Sequence, residues 1–401
     1  MKLIAFLLVV VAAVTAATLG GVFREGEAAS ASLQPEEAHR IAVEGLLLQQ
    51  RARVTGDPAF YPRAERVLNE ALEVDPKNAM ALRGLAAVAA SRHRFNESLE
   101  LARRAERIQP DIAEVHGLIG DASLELGRYD QAFAAFDRMV ALRPSASAYA
   151  RISYARELIG DIDGAIDAME LAVDSAGIGE PAAWSRTLTG NLLLGDRKIE
   201  AASIRYREAL EFVPEYAGAL AGLGDIALAR GDLAKALPLY RRAAKSMAVP
   251  DYAATLGDLL GRLGRRPEAE RAWKRAESLE RLFAANGGSN LLETAEFDLN
   301  HDRNFRTALD RARRGRAERP SVEGDHVLAW ALYKNGLCAE ARTVSLRSLR
   351  LGTVDVDGLY HHSLIERCLG NDAAAARYLA RVEAADPRYL DAPPSPRRLR
   401  A

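Results

Sequence analysis

The sequence predicts an all-α protein, an α-solenoid of about nine to ten helical hairpins. Three observations predict it. Pro76, Pro110 and Pro144 stand 34 residues apart, and each closes a helical segment (EALEVDP, RAERIQP, RMVALRP). Proline ends a helix because its ring clashes with the preceding turn and it lacks an N–H. Apolar residues recur at three- and four-residue spacing through two short helices in each period. Finally, small residues recur where the two helices would cross, with a large residue four positions further on.

Residues 113–144, AEVHGLIGDASLELGRYDQAFAAFDRMVALRP, show the plan in full. Gly127 separates the two helices. Gly120 and Ala132 are small at the crossing, so the backbones can approach, and Phe136 fills the space beside them. The plan recurs with Gly160/Ala165/Met169, Gly190/Ala202/Tyr206, Gly231/Ala236/Tyr240 and Gly264/Ala269/Trp273, then with Phe305/Ala308, Gly336/Ala341 and Gly370/Ala375. Pro214 and Pro387 close further segments. Units fall near 77–110, 111–144, 145–180, 181–214, 215–249, 250–284, 285–320, 321–354 and 355–388. Residues 32–76 read as an atypical capping hairpin whose second helix, Tyr61 to Val74, keeps Ala64, Leu68 and Ala71 in register. Terminal repeats depart from the pattern because one face has no neighbour. Gly287 and Gly288, in the GGSN loop at 287–290, mark the one internal flexible point, where the array is expected to bend.

The 34-residue helix–turn–helix unit, its small crossing residues and its closing proline resemble the tetratricopeptide repeat. The resemblance covers residues 77–388 and implies a right-handed superhelix with the first helices on its concave side. Several phrases (TGDPAFYPRAERVL, RHRFNESLELA, MVALRPSASAYARISYARELIGD, LAWALYKNG, LRLGTVD) resemble a group of exported bacterial tetratricopeptide proteins without a settled activity. That likeness implies fold and location and carries no catalytic residue.

Residues 1–31 read as a targeting segment. Lys2 precedes an uncharged stretch, Leu3 to Phe23, long enough to span a bilayer as an uncleaved anchor. Ala29-Ser30-Ala31 offers an A-x-A cleavage site, with Val14-Thr15-Ala16 a weaker one, so a cleaved signal peptide stays equally open. Arg24 is offset by Glu25 and Glu27, and under the positive-inside rule both readings send the body outside the cytoplasmic membrane. The membrane is expected to be touched only through residues 3–23. Residues 389–401 form a Pro/Arg-rich tail carrying Pro393, Pro394, Pro396, Arg397, Arg398 and Arg400.

Composition excludes several functions. The 401 residues carry 54 basic and 55 acidic side chains, a net charge of −1, which gives no general pull toward nucleic acid. There is no G-x-x-x-x-G-K-[ST] loop, G-x-S-x-G elbow, H-E-x-x-H pair or C-x-x-C. No catalytic, cofactor or metal residue is therefore assigned, and the protein reads as a non-enzyme. Two cysteines exclude a disulfide scaffold. Cys338 begins the second helix of one unit and Cys368 ends the first helix of the next. The two fall at one edge of adjacent repeats, where either a disulfide or two buried thiols fit.

The concave groove is the expected functional surface, holding a protein or peptide partner. Inward repeat positions place Asp121, Glu125, Tyr154, Glu157, Trp184, Asn191, Asp225 and Asp258 there. This acidic-to-neutral strip suits polar or basic segments. It lacks the Lys/Arg set with which some tetratricopeptide domains hold a terminal carboxylate, which disfavours binding of chaperone tails. Further on, Phe297, His326, Trp330, Tyr333 and Tyr360 fall at inward positions and suggest an aromatic hot spot, beside Glu293, His301 and Lys334. An alternative reading is a metal- or small-ligand receptor built on the late histidines, His301, His326, His361 and His362. His362 and Glu366 share a helix face.

Overall fold

The computed structural model describes residues 22–353, 355–387 and 389, with side-chain environments from residue 34. The predicted leader up to residue 21 and the tail from residue 390 lie outside the described residues. Among the described residues, twenty helices pair into ten hairpins. The first three are α1 (Val22–Thr55) with α2 (Phe60–Val74), α3 (Ala79–Ser91) with α4 (Phe95–Ile108), and α5 (Ala113–Glu125) with α6 (Tyr129–Leu142). The middle four are α7 (Ala146–Leu158) with α8 (Ile162–Ser175), α9 (Glu180–Gly195) with α10 (Ile199–Phe212), α11 (Ala217–Ala229) with α12 (Leu233–Ser246), and α13 (Pro250–Arg262) with α14 (Arg266–Ala285). The last three are α15 (Leu291–Asn300) with α16 (Phe305–Glu318), α17 (Val322–Lys334) with α18 (Cys338–Ser348), and α19 (Val356–Cys368) with α20 (Asp372–Ala385). No strand occurs among the described residues. The chain forms an all-α superhelix. Helix α1 begins at Val22, inside the segment read as a leader, and runs through Pro35. No described helix is long and apolar enough to cross a membrane.

Every hairpin turn contains a residue in the left-handed region, and the α15–α16 turn contains two, Asp302 and Asn304. Seven turns use glycine (Gly56, Gly127, Gly160, Gly231, Gly264, Gly336, Gly370), while His93, Arg197 and Asp302 adopt the same conformation with side chains. Each of those three costs about 1–2 kcal/mol relative to glycine. The turn recovers two backbone bonds: Gly127 N–H donates to Leu124 O at 2.9 Å and Arg128 N–H to Ser123 O at 2.8 Å.

The predicted small-on-large register is present. A Cβ at Gly120 would lie 2.2 Å from the Phe136 ring, and one at Gly190 2.5 Å from Tyr206. Gly224 meets Tyr240 and Gly257 meets Trp273 in the same way. Ala132, Ala165, Ala202, Ala236, Ala269, Ala308 and Ala341 are fully buried. The core is a chain of clusters shared by neighbouring hairpins, as in any stacked repeat.

Successive first helices pack on one another (α1 on α3, α3 on α5, α9 on α11, α15 on α17), whereas second helices pack mainly on the first helix that follows. The first helices therefore sit at the smaller radius and line the concave side.

The array also meets itself. Gly56 lies against Met247 and Val249, Gly127 against the Pro320 carbonyl, and Gly160 against Gly352. Arg92 Nε donates to Asn286 O at 2.7 Å across 194 residues, and Arg197 reaches Asp386 at 3.7 Å. Turns within the early hairpins thus touch loops between the late ones, about five to six hairpins further along. One superhelical turn closes on the next along a seam. The 287–290 loop, expected to be a flexible bend, is tied into this seam. Ser289 N–H donates to Arg92 O at 2.9 Å, and the Gly287 backbone abuts the Arg92 guanidinium. Gly287, in the left-handed region, allows the close approach to a distant repeat, while Gly288 lies against the Phe283 ring of α14.

Candidate functional site: the concave surface

The acidic strip is built on one repeated device. A glycine on the first helix admits an aromatic ring from the second, and the residue after that glycine bonds the ring's polar tip. Tyr206 OH donates to Asn191 Oδ1 at 2.9 Å, and Trp273 Nε1 donates to Asp258 Oδ1 at 2.8 Å. The Tyr240 hydroxyl donates to Asp225. In all three pairs the partners are 15 residues apart. Where the ring is Phe136 and has no polar tip, Asp121 is instead held bidentately by Arg151 of the next hairpin, at 2.8 and 2.6 Å. Asp258 also meets His301 Nε2 at 2.8 Å, and burial of that imidazole is outweighed by the carboxylate, which raises its pKa above the ordinary value. Asn191, Asp225 and Asp258, expected to face a partner, thus each have one side-chain oxygen engaged within their own hairpin, while the residues stay partly exposed. Sequence position alone does not separate an inward polar group from one that a ring 15 residues later has engaged.

Glu157 on α7 is different. It is partly buried, and its carboxylate has no hydrogen-bond or ion-pair partner among the described residues. Burial pushes its pKa up to about 7. Tyr154, one helical turn before it, is 44% exposed. Trp184 on α9 is partly buried and packs against the cluster of Ala150, Met169 and Leu192.

The expected carboxy-terminal hot spot is mostly filled by the chain itself. Trp330 is only 8% exposed. Its ring stacks on His361 (centroids 3.7 Å apart) and on Tyr333 (5.1 Å), its Nε1 donates to Asn300 at 3.1 Å, and Lys334 lies over it at 4.9 Å. It is a packing residue between repeats, because α19 delivers His361 onto its face. Phe297 is partly buried, 4.2 Å from the His301 ring and under the Arg303 guanidinium. Tyr333 and Tyr360 are partly buried.

His326 is bonded at both nitrogens, Nδ1 to Asp355 at 2.9 Å and Nε2 to His361 at 3.1 Å. Burial opposes its charge, but the Asp355 carboxylate outweighs it and the pKa is pushed up to about 9. Burial and the neighbouring imidazolium hold His361 neutral, well below its ordinary value. Burial and the Asp355 charge push Asp357 up to about 7, beside the Tyr389 hydroxyl that donates to it. His362 is fully buried and bonds Ser345 Oγ at 2.9 Å, while Glu366 is held by Arg342 and Asn371, each at 2.7 Å. Among the described residues no three His, Cys, Asp or Glu side chains converge to hold a metal ion. Cys338 and Cys368 are joined as a disulfide, with Cα atoms 6.2 Å apart.

Sequence reasoning placed Glu125 and Glu293 in the groove and missed Arg319, the seam residue that engages both. Arg319 is buried, donating to Glu125 Oε2 at 3.1 Å across 194 residues and to Glu293 on its own side. No local spacing marks it.

Comparison with known proteins agrees with this geometry. A family model described as the tetratricopeptide repeat matches residues 59–113, 118–181 and 187–251. With ten stacked hairpins in the repeat register, the chain is a tetratricopeptide-repeat protein. It is 43% identical over 74 residues to a CTR9 homolog of Arabidopsis thaliana, covering 18% of this chain and 7% of that one. It is 29% identical over 102 residues to the Hsp70-Hsp90 organizing protein of Triticum aestivum, covering 24% of this chain and 18% of that one. The chain thus spans less than a fifth of the length of either relative. A solved thermophilic repeat protein of Thermus thermophilus shares 19% identity at a TM-score of 0.40, covering 51% of this chain and 98% of that one.

Proposed function

We propose that this protein is a non-catalytic adaptor that holds an extended, basic segment of a partner protein along its first helices, outside the cytoplasmic membrane. The observation that carries the reading is Glu157, a partly desolvated and unpaired carboxylate on the concave side, next to the exposed ring of Tyr154 and one repeat from Trp184. A partner cation would supply the charge that Glu157 lacks, and aromatic rings beside it suit an aliphatic stem. Similarity to a protein named for organizing Hsp70 and Hsp90 supports a protein-binding role. The location rests on Lys2 and the apolar stretch Leu3 to Phe23.

Fluorescence anisotropy with Lys/Arg-rich and Asp/Glu-rich peptides of equal length tests the binding reading. The basic peptides should bind, and Glu157→Gln should weaken them about tenfold, the loss of one charge-assisted contact. Preference for the acidic peptides, or equal binding by Glu157→Gln, would refute it.

A further inference from the structure

The seam differs from every other interface in the molecule. Interfaces between neighbouring hairpins pack helix face on helix face around alanines and aromatic rings. The seam is made by turns and loops. Its bonds run from Arg92 to Asn286 O, from Ser289 N–H to Arg92 O, from Arg319 to Glu125, from Val322 N–H to Tyr129 Oη, and from Thr353 Oγ1 to Leu158 O. Val322 and Leu351 add a small apolar contact to the cluster of Leu124, Tyr129 and Leu158.

Two features make this closure separable. Each buried guanidinium keeps a carboxylate on its own rim: Arg92 pairs with Glu65 at 2.6 Å, and Arg319 pairs with Glu293. Parting the rims therefore leaves both guanidinium groups paired. It frees one carboxylate, Glu125, which is already partly exposed in the closed form and gains water. The cost of leaving a fully buried charge uncompensated is thus avoided. Nor is the seam packed solid. A cleft of about 450 Å³ lies in it, lined by His93, Phe95, Gly287, Gly288, Ser289 and Glu318 among others. Stacked repeats touch only their neighbours, so a small rotation at each of five or six interfaces separates the rims without unfolding a hairpin.

We propose that the seam is a reversible clasp: its two rims part and rejoin as one unit while the hairpins on either side stay folded. An opened clasp exposes the concave surface from the side, so that an extended chain can be laid in without threading through an end.

Residue-resolved hydrogen exchange on the full-length protein tests this without any partner. The Ser289 and Val322 amides are protected by seam bonds, to Arg92 O and Tyr129 Oη. Both should show a common protection factor, at least about 100-fold below that of the interior amides of α15 and α17, as expected for a sub-global opening. Thr353→Val removes the bond to Leu158 at the far end of the seam and should speed exchange at both amides, about threefold or more, although Thr353 bonds neither residue. Exchange as slow as in the helix interiors would mean a permanent brace. Unequal protection factors, or a Thr353→Val variant in which Ser289 is unchanged, would mean independent local fraying. Either result overturns the clasp and leaves the peptide-binding reading standing on its own assay.

Discussion

Replacing Glu157 with Gln removes a groove carboxylate that has no ion-pair or hydrogen-bond partner among the described residues. In the folded chain burial raises its pKa from the ordinary 4.5 to about 7. In the unfolded chain the group titrates near the ordinary carboxylate value. The folded state thus binds this proton more tightly than the unfolded state. Its contribution to stability is fully present below the unfolded pKa, declines as pH rises through about 7, and is flat above that. Holding the ionised form in place costs up to about 3 kcal/mol, from the difference between the two pKa values at about 1.36 kcal/mol each. Partial solvent contact on the concave side reduces this, so the measured effect should be about 1–3 kcal/mol. Glutamine keeps the shape and removes the charge. Glu157→Gln should match the parent at pH 4 and be more stable than it at pH 8.5 by that amount. Urea titrations at pH 4, 6 and 8.5, followed by circular dichroism with slopes compared between variants, measure it. A pH-independent difference, or a loss of stability at pH 8.5, would show that Glu157 is either solvated or paired.

Two further predictions concern packing. Tyr206→Phe keeps the buried ring between Gly190 and Gly222 but removes its bond to Asn191, and should cost about 1 kcal/mol. A double-mutant cycle with Asn191→Ala should assign most of that cost to the pair, and additive losses would deny the contact. Trp330→Ala should lower stability by about 3–5 kcal/mol, since the indole is buried between rings of two repeats. A variant with unchanged stability that lost only partner capture would restore the hot-spot reading.

The hairpin plan was legible because its causes are local. The prolines at 76, 110 and 144 and the left-handed glycines at 127, 160 and 231 set where each helix stops. The pairing of Gly190 with Tyr206 is separated by about four turns of chain, within reach of a periodic reading. The groove was legible only as a direction. Inward placement of Asp225 and Asp258 followed from the repeat, but their engagement by Tyr240, Trp273 and His301 depends on which rings carry a polar tip and where they lean. Trp330 shows the same limit: helical spacing put it on the inner face, and the approach of α19 buried it under His361.

The sequence by itself determined the hairpin, its register of small against large residues, and the stacking of each unit on the next, since all of these act between residues within about one repeat of each other. Only the tertiary structure decided that Arg92 meets Asn286 and Arg319 meets Glu125, each 194 residues apart, and that the Gly287–Gly288 loop is an anchor. The reason is cumulative. A small rotation at each interface, set by packing angle and side-chain volume, is summed over five to six hairpins before the rims meet. A change of a few degrees per interface, invisible in any local pattern, is enough to open or close the seam.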